Sequence, residues 1–253
     1  MSGAQTLCCA ERVSSASRSA EEKRPFVQRL FTSIAPRYDW FNRLASCGMD
    51  RGWRRRTLER AEMTPGMRVL DVCAGTGDLA LSCAEQQQGR GLVVGLDMNR
   101  AMLEGGRRKQ QAGGFRVAWI EGDTQALPFP SGSFDRVLIG FSTRNLTDLS
   151  AGLGEMVRVL RPGGRVCVLE TGRPSNTMIR IGYLVFLFTI VRLIGLLLTG
   201  RVWPFTYLAR SVRGFITPAQ MCERLAAAGA EATYVPLSWG LASVFVATKV
   251  RTA

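Results

Sequence analysis

Residues 69–78, VLDVCAGTGD, constrain the fold of this chain more than any other segment. A short apolar run ends at Asp71, and Gly75 and Gly77 then let the backbone turn tightly and approach a ligand without a Cβ in the way. The next apolar run ends at Asp97. A carboxylate at that position accepts hydrogen bonds from ribose hydroxyls in nucleotide-binding α/β units. The order of strand, glycine turn, helix, strand and acid therefore predicts a pocket for a ligand that contains a ribose.

The residue after the glycine turn separates two classes of ligand. A dinucleotide fold uses G-x-G-x-x-G, which places a pyrophosphate at a helix N-terminus. Here Asp78 directly follows Gly77, and no third glycine has that spacing. A carboxylate at the helix start repels a pyrophosphate but not the cationic sulfonium and amino groups of S-adenosylmethionine. The sequence therefore predicts S-adenosylmethionine as the cofactor. The alternative is an ordinary nucleotide fold in which Asp78 only caps the helix.

The charge of the chain indicates an anionic partner. There are 33 basic and 20 acidic residues, a net charge of +13, and histidine is absent from the sequence. Such a surface favours nucleic acid or the headgroups of an anionic membrane. Seven cysteines form no C-x-x-C pair, which is typical of reduced thiols in the cytosol.

Alternating patterns predict one α/β domain after a short tail. Residues 1–24 lack apolar periodicity and are predicted to be disordered. Predicted strands alternate with helical stretches, which indicates a doubly wound parallel sheet, and a closing hairpin adds an antiparallel edge. Residues 162–164, Pro-Gly-Gly, are predicted to be the turn that begins the fifth strand. The single domain, residues 25–253, has predicted N-terminal helices at 25–62, a cofactor-binding core at 67–170, an apolar insertion at 175–212 and a C-terminal helix and hairpin at 217–250.

The insertion contains an unusually apolar tract. Arg192 is the only charge among the eighteen residues 181–198, and as a helix they would be roughly 27 Å long, which is close to a bilayer core. A spanning helix is disfavoured because the closing hairpin must join the same sheet as the core. The tract is instead predicted to be a helical lid or a shallow membrane-docking element over the site; the alternative is a helix buried in the core. Arginines 54–56 add headgroup attraction or form a solvated charge run.

Methyl transfer from S-adenosylmethionine requires an aligned and activated acceptor. If the acceptor is a ring carbon of a hydroquinone, the adjacent hydroxyl must lose its proton, and the chain has no histidine to take it. Tyr38, Asp78, Arg144 or a water held among them is then expected to serve. Arg144 follows the fourth predicted strand, where it could stabilise a phenolate; the alternative is a plain surface arginine. Asp123, after the third strand, is predicted to accept from the adenine amino group with Thr124 beside it, or to cap a helix.

Four motifs resemble the ubiquinone and menaquinone biosynthesis C-methyltransferases. These motifs, which extend over nearly all of the chain after residue 25, are YDWFNRLASCGMDRGWRR at 38–55, GFSTRNLTD at 140–148, RVLRPGGRVCVLE at 158–170 and YLARSVRGF at 207–215. The resemblance implies a Rossmann-like seven-stranded sheet with an antiparallel last strand, S-adenosylmethionine as donor and a prenylated quinol as acceptor. Among the departures from the family pattern, Asp50 stands where histidine is usual and Gly140 where serine is frequent.

The resemblance also assigns site residues. It implies that Tyr38, Asp78 and Arg144 surround the acceptor. It further implies that Thr76, Asp97, Asp123 and Thr124 bind the cofactor. With the residues around the glycine turn and the second strand added, the predicted cofactor-binding set is Asp71, Gly75, Thr76, Gly77, Asp97, Met98, Asp123 and Thr124. No metal site is predicted.

The resulting hypothesis is a cytoplasmic enzyme that methylates a quinol ring in respiratory quinone biosynthesis. Its predicted partners are a lipid quinol and the inner face of the membrane, through peripheral contact; a homodimer is left open, and nucleic acid is not expected. Three alternatives remain: a phospholipid N-methyltransferase, an RNA methyltransferase and a non-catalytic scaffold with the methyltransferase fold. The RNA alternative explains the positive charge but gives no role to the apolar tract. The kind of ring, benzoquinol or naphthoquinol, stays open.

Overall fold

The computed structural model describes residues 20–251, except for the side chains of residues 20 and 21. Most of the tail predicted at residues 1–24 lies outside this range. Helix α1, Ala20–Ile34, begins before Pro25, so residues 20–24 belong to this helix and not to the tail. Pro25 lies inside this helix, where it cannot donate the i→i−4 backbone hydrogen bond.

Seven strands within the described residues form a single sheet. They are β1 (Arg68–Val72), β2 (Leu92–Asp97), β3 (Ala118–Glu121), β4 (Phe134–Gly140), β5 (Leu160–Thr171), β6 (Ala230–Leu237) and β7 (Ala242–Lys249). Their order in the sheet is β3-β2-β1-β4-β5-β7-β6. Strand β7 is antiparallel to both of its neighbours, and the remaining neighbours are parallel. This confirms the predicted doubly wound sheet with an antiparallel last strand.

The helices divide into those that cover the sheet and those that cap one of its edges. The remaining helices are α2 (Tyr38–Ala45), α3 (Met49–Ala61), α4 (Asp78–Gln87), α5 (Arg100–Gly113), α6 (Leu149–Val159), α7 (Thr177–Phe188), α8 (Ile190–Thr199), α9 (Trp203–Arg213) and α10 (Pro218–Ala227). Helices α4, α5, α6 and α10 connect strands. The side chain of Thr217 caps α10, and Pro218 lies in the first turn of this helix.

The start of β5 differs from the prediction. Residues 162–164 do not form a turn before the strand, because β5 already begins at Leu160 and pairs there with Phe134. The register with β4 then shifts, and Gly163 has a φ of +75°. A proline and a glycine with positive φ suit an irregular ladder, since neither is needed for a regular hydrogen bond at that point. The Pro-Gly-Gly motif is therefore a bulge inside the strand.

The N-terminal helices and the insertion pack together into one cap. Helices α1, α2, α7, α8 and α9 share a hydrophobic cluster that is separate from the core of the sheet. Within it, the rings of Phe41 and Phe205 lie with centroids 4.4 Å apart. Pro36 and Gly48 lie between α1, α2 and α3 and separate these helices. The cap covers the edge at which the parallel strands end, and that edge is where ligands bind in open α/β sheets.

The apolar tract is a bent helical pair. Residue Thr189, with φ −115° and ψ −76°, separates α7 from α8. Among the described residues, only Thr177–Thr199 is long and apolar enough to cross a membrane. An 18-residue window within it has a mean hydropathy of 2.4, and 17% of that window is buried. The alternative of a helix buried in the core is therefore wrong. Strand β5 before the tract pairs with β7 after it, so both ends of the tract join one sheet.

Candidate active site

The two glycines of the turn between β1 and α4 have different tasks. Gly75 has φ +56°, and a Cβ added there would be about 4 Å from the ring of Tyr38, so the turn keeps one open side. Gly77 has φ +80°, and a Cβ there would come within 2.2 Å of the indole of Trp119. Any side chain at Gly77 would therefore push Trp119 away from the sheet. Gly77 thus packs against Trp119 on the side of the turn away from the cavity, and Gly75 lies on the side that faces the ligand.

The carboxylate of Asp97, at the end of β2, is held by two backbone groups. It accepts hydrogen bonds of 2.8 Å from the N–H of Gly75 and 2.8 Å from the N–H of Asn99. Burial raises the pKa of Asp97 to about 6, although both hydrogen bonds lower it. The carboxylate is thus fixed and ionised at neutral pH, and it faces the space where a ribose is expected.

Asp71 lies behind the glycine turn. Its side chain is 1% exposed and accepts a 3.0 Å hydrogen bond from the N–H of Ala80 in the first turn of α4. Burial raises the pKa of Asp71 to about 8, and nearby Arg54 opposes this. The second carboxyl oxygen has no hydrogen-bond partner among the described residues. Asp71 therefore holds the helix that follows the turn, and like Gly77 it does not line the cavity described next.

The cofactor cavity is the cleft at the carboxyl ends of β1 to β4. It brings together most of the predicted site, namely Tyr38, Gly75, Thr76, Asp78, Asp97, Met98, Asp123 and Thr124. Its outer wall is α1, which contributes Arg24, Val27, Gln28 and Phe31. The amide of Asn99 donates to the carbonyl of Gln28 over 3.0 Å and so fixes α1 to this edge. The N-terminal helix is thus a wall of the cofactor site.

Asp123 caps a local turn and also lines the cofactor cavity. Its carboxylate accepts a 2.9 Å hydrogen bond from the N–H of Gln125, which is a local turn cap. The other oxygen lies 3.2 Å from the guanidinium of Arg24 and lines the cofactor cavity. The hydroxyl of the neighbouring Thr124 contacts the sulfur of Cys73 at 3.2 Å.

A network of charges surrounds Asp78. The ammonium of Lys109 lies 2.5 Å from Asp78, 2.7 Å from Asp39 and 3.0 Å from the hydroxyl of Thr76. Arg54 approaches the other Asp78 oxygen at 3.5 Å. Burial raises the pKa of Asp78, but Arg54 and Lys109 outweigh it, so the pKa is lowered overall. Asp78 is therefore ionised and a weak base, and it ties the turn to the N-terminal helices.

The apolar cavity lies under the cap and has a volume of about 400 Å³. Its walls come mainly from α1, α2, α7 and α9, and most of the lining side chains are apolar or aromatic. Among the described residues that line it, Asp50 and Arg144 are the charged ones. The carboxylate of Asp50 accepts a 2.9 Å hydrogen bond from the hydroxyl of Ser46 and forms an ion pair with Arg54 at 3.8 Å. The cavity is thus an apolar chamber with one cation, Arg144, on its wall.

The two cavities meet at three side chains. Phe31, Tyr38 and Asn145 line both of them. Burial raises the pKa of Tyr38, while a hydrogen bond with Asn42 lowers it, and the net shift is upward. Tyr38 is therefore a protonated donor at neutral pH. The amide nitrogen of Asn145 is buried without a hydrogen-bond partner among the described residues, so it can donate to a guest at the junction.

Arg144 is buried and paired beside this junction. Its guanidinium forms an ion pair with Glu170, and the two side chains are 8% and 1% exposed. Glu170 also accepts 2.6 Å and 2.8 Å hydrogen bonds from the hydroxyl of Thr143 and the N–H of Thr171. The Nε of Arg144 has no partner among the described residues. The surface-arginine alternative is therefore wrong, because Glu170 holds Arg144 inside the chamber.

A family model for the ubiE/COQ5 methyltransferases matches residues 17–249. The chain belongs to the ubiE/COQ5 methyltransferase family. It is a methyltransferase that uses S-adenosylmethionine, which confirms the predicted cofactor.

Two curated relatives illustrate how similar this ubiE/COQ5 family member is to known proteins. A demethylmenaquinone methyltransferase from Thermus thermophilus is 42% identical over 217 residues, which cover 86% of this chain and 98% of the relative. A ubiquinone/menaquinone biosynthesis C-methyltransferase UbiE from Shewanella frigidimarina is 40% identical over 196 residues, which cover 77% and 78% of the two chains.

Solved structures at low identity share the fold. A SAM-dependent methyltransferase from Aquifex aeolicus superposes with a TM-score of 0.58 at 16% identity, covering 78% of this chain and 89% of the other. The cyclase SpnF gives a TM-score of 0.67 at 16% identity, covering 93% and 98%. These likenesses support the Rossmann-like architecture of the family member.

The residues of the family member fit the cofactor. The open side of the turn at Gly75 leaves room for a ligand, and the carboxylates of Asp97 and Asp123 face the same cavity with oxygens that can accept from hydroxyl and amino groups. Ionised Asp78 lines the same cavity, where Lys109 and Arg54 pair with it. Asp71 and Gly77 support this surface from behind.

Sequence reasoning missed several residues of the site. Arg54 was read with its neighbours as part of a charge run, yet its side chain is 13% exposed and stacks 5.5 Å from the ring centroid of Phe141. Lys109 and Asn145 were not singled out. A possible signal for Asn145 was its place directly after Arg144 in the loop that follows β4. For Lys109 we find no local signal, because its partners are far away in the sequence.

Proposed function

We propose that this enzyme transfers a methyl group to a ring carbon of a prenylated quinol, with demethylmenaquinol as the first substrate to test. The observation that carries the proposal is the junction at Tyr38 and Asn145, where the cofactor cavity opens toward an apolar chamber with Arg144 on its wall. A chamber of this kind suits a hydrophobic guest with one polar ring. The relatives named above are a demethylmenaquinone methyltransferase and a ubiquinone/menaquinone biosynthesis C-methyltransferase, which favours the same substrate class.

The chain's own residues would position the ring and exclude water. When bound, S-adenosylmethionine supplies an electrophilic methyl group. Tyr38 donates a hydrogen bond at the junction, and the free amide N–H of Asn145 donates a second. The apolar walls hold the rest of the guest and leave few groups that could compete as acceptors. Fixing the two reactants in this way can supply roughly 7–11 kcal/mol of the barrier reduction.

Arg144 is assigned to activation of the ring. A ring hydroxyl with a pKa of about 10 resists ionisation at neutral pH by about 4 kcal/mol. The guanidinium of Arg144 lies in a chamber of low polarity, where a positive charge stabilises a phenolate more strongly than it does in water. Asp78 lines the cofactor cavity and not the apolar chamber, and Tyr38 is protonated, so neither is suited to take the proton. We assign the hydroxyl proton, and the proton that the ring carbon releases after methylation, to bulk solvent, which they reach through water at the junction.

The three alternative functions are less well supported by the site. A phospholipid N-methyltransferase needs no phenolate-stabilising cation in an apolar chamber. An RNA methyltransferase gives no role to a chamber that is mostly apolar, although it would use the positive charge of the surface. A scaffold without turnover gives no reason for a buried arginine whose Nε points to no protein acceptor among the described residues.

The proposal is tested with four acceptors in parallel. The protein is incubated with labelled S-adenosylmethionine and, separately, demethylmenaquinol, a demethylated benzoquinol precursor, phosphatidylethanolamine and tRNA, under reducing conditions. Label in the naphthoquinol product supports the proposal, and label in the benzoquinol product changes the ring but keeps the substrate class. Label in phosphatidylethanolamine or tRNA alone overturns it.

An Arg144→Met variant separates the enzyme from the scaffold. If Arg144 activates the ring, the variant loses about 10²–10³-fold in kcat while the Kd for S-adenosylmethionine measured by calorimetry stays within about twofold. If the unaltered protein binds the cofactor tightly but does not methylate the quinol, the result favours a non-catalytic scaffold.

A further inference from the structure

Helices α7 and α8 are apolar on both of their faces. The inward face carries Tyr183, Leu187 and Val191, which line the apolar cavity. The outward face leaves large apolar side chains exposed at helical spacing, and these are Met178, Ile181, Val185, Ile190, Leu193, Leu196 and Leu197. A helix that is apolar all round is normally buried in a protein core or in lipid. In this protein only the inward face is covered.

The exposed face continues onto α2. This helix packs against α8, and the guanidinium of Arg37 just before it donates to the carbonyl of Leu198. The side chains of Trp40 and Leu44, four residues apart, are 63% and 47% exposed. Arg43 lies 5.8 Å from the ring centroid of Trp40. Exposed tryptophan and arginine beside an apolar stripe are typical of the boundary between lipid tails and headgroups.

The chain segment that contains α7 and α8 carries charge of one sign. From residue 171 to residue 222 the sequence has six arginines and no aspartate or glutamate. Of these six, Arg173, Arg201, Arg210 and Arg213 are exposed. The apolar face is thus set in a stretch of chain that repels cations and attracts anionic headgroups.

We propose that the docking face, formed by the outward sides of α7 and α8 together with Trp40 and Leu44, rests on the surface of an anionic phospholipid bilayer. The proposal deepens the proposed function and rests on it for the identity of the guest. Because α7 forms both the docking face and a wall of the apolar cavity, a lipid guest could pass from the bilayer to the chamber along this helix. The contact is peripheral, since β5 before the tract pairs with β7 after it, which keeps both ends of the tract on the same side of the bilayer.

A second copy of the chain is a poorer occupant of the same face. Most homodimers have twofold symmetry, so each residue of a shared patch meets the same patch on the other copy. The arginines of the 171–222 segment would then face arginines, with no acidic residue of that segment to pair with them. An anionic bilayer meets the same surface with opposite charge.

Vesicle flotation tests the proposal. The full chain is mixed with vesicles of phosphatidylcholine and phosphatidylglycerol, and separately with vesicles of phosphatidylcholine alone. A double variant, Leu193→Gln with Leu197→Gln, changes two exposed side chains that do not line the cavity. The matched control, Leu92→Gln with Tyr234→Gln, changes exposed side chains at the start of β2 and on the edge strand β6.

We expect the unaltered protein and the control to float with the anionic vesicles, and the double variant to bind at least about tenfold more weakly, or about 1.4 kcal/mol. Turnover of a short-chain, water-soluble quinol should be the same in all three proteins. Vesicle binding that the double variant does not weaken, or the absence of binding by the unaltered protein, overturns the docking face. A dimer of the unaltered protein that the double variant dissociates overturns it in favour of a second copy.

The activity assay keeps this outcome apart from the proposed function. If vesicle binding fails but the short-chain quinol is methylated, the docking face is wrong and the function stands. If the vesicles bind but no quinol is methylated, the docking face stands and the proposed substrate is wrong.

Discussion

Glu170 holds Arg144 at the wall of the apolar cavity through a buried ion pair. Strand β5 delivers the carboxylate, and the loop after β4 delivers the guanidinium, so two neighbouring strands meet at this contact. The pair orients a cation that would otherwise extend toward solvent. It also partly neutralises that cation, so any phenolate stabilisation by Arg144 depends on its Nε side, which has no partner among the described residues.

Replacing Glu170 with Gln should weaken both stability and catalysis. Removing one partner of a buried ion pair typically costs about 3–5 kcal/mol, because the other charge is left without compensation. We expect a lower free energy of unfolding in urea and a lower kcat, with the KM for S-adenosylmethionine little changed because Glu170 does not line the cofactor cavity. An unchanged kcat in a folded variant would show that the orientation of Arg144 is irrelevant to turnover.

A Gly77→Ala substitution should be much more harmful than the same change at Gly114. Both glycines have φ near +80°, at +80° and +76°, but an added Cβ meets Trp119 at 2.2 Å only in the first case. The left-handed backbone costs about 1–2 kcal/mol at either position. Overpacking against Trp119 adds about 1–3 kcal/mol. Urea unfolding should therefore separate the two variants, and equal losses would mean that Trp119 moves aside freely.

Cofactor binding should weaken in acid because of Asp97. The pKa of this carboxyl in the folded protein is about 6, which is above its usual value. Above that pH the group is ionised and accepts strong hydrogen bonds from hydroxyls. Below it, the Kd for S-adenosylmethionine should rise by up to about tenfold per pH unit. Calorimetry across this range should find weak, pH-independent binding for Asp97→Asn. A flat profile for the unaltered protein would contradict the assignment.

Arg54 and Arg55 should behave differently when each is changed to Met. Among the neighbouring charges, Arg54 lowers the pKa of Asp78 most, whereas Arg55 is 75% exposed and pairs with Glu59. Without Arg54 the pKa of Asp78 rises, so its negative charge is lost at a higher pH. The acidic limb of kcat/KM for S-adenosylmethionine should then move to higher pH.

The Arg55→Met variant is the matched control for that shift. A surface substitution of this kind usually changes stability by no more than about 0.5 kcal/mol, and its pH profile should follow that of the unaltered protein. Superimposable profiles of the two variants would exclude Asp78 from cofactor recognition.

The architecture and the cofactor side of the site could be predicted because they depend on local pattern. Apolar runs ending in Asp97 and Asp123, and the turn at Gly75, occur at strand ends, and parallel strands place their carboxyl ends at one edge. The bulge at Pro162 could not be predicted in the same way, since a proline and two glycines suit both a turn and an irregular strand. The neighbour strand decides between them by pairing with Leu160.

The sequence by itself determined the succession of strands and helices along the cofactor core and the residue types at the strand ends, because spacing along the chain specifies both. Only the tertiary structure decided which charges act together. Lys109 pairs with Asp39 and Asp78, and Arg54 also pairs with Asp78 while its neighbours Arg55 and Arg56 stay exposed. These contacts depend on packing between segments that are far apart in the chain. It also decided that Asp71 supports α4 from behind, because burial depends on what covers a residue and not on its neighbours in sequence.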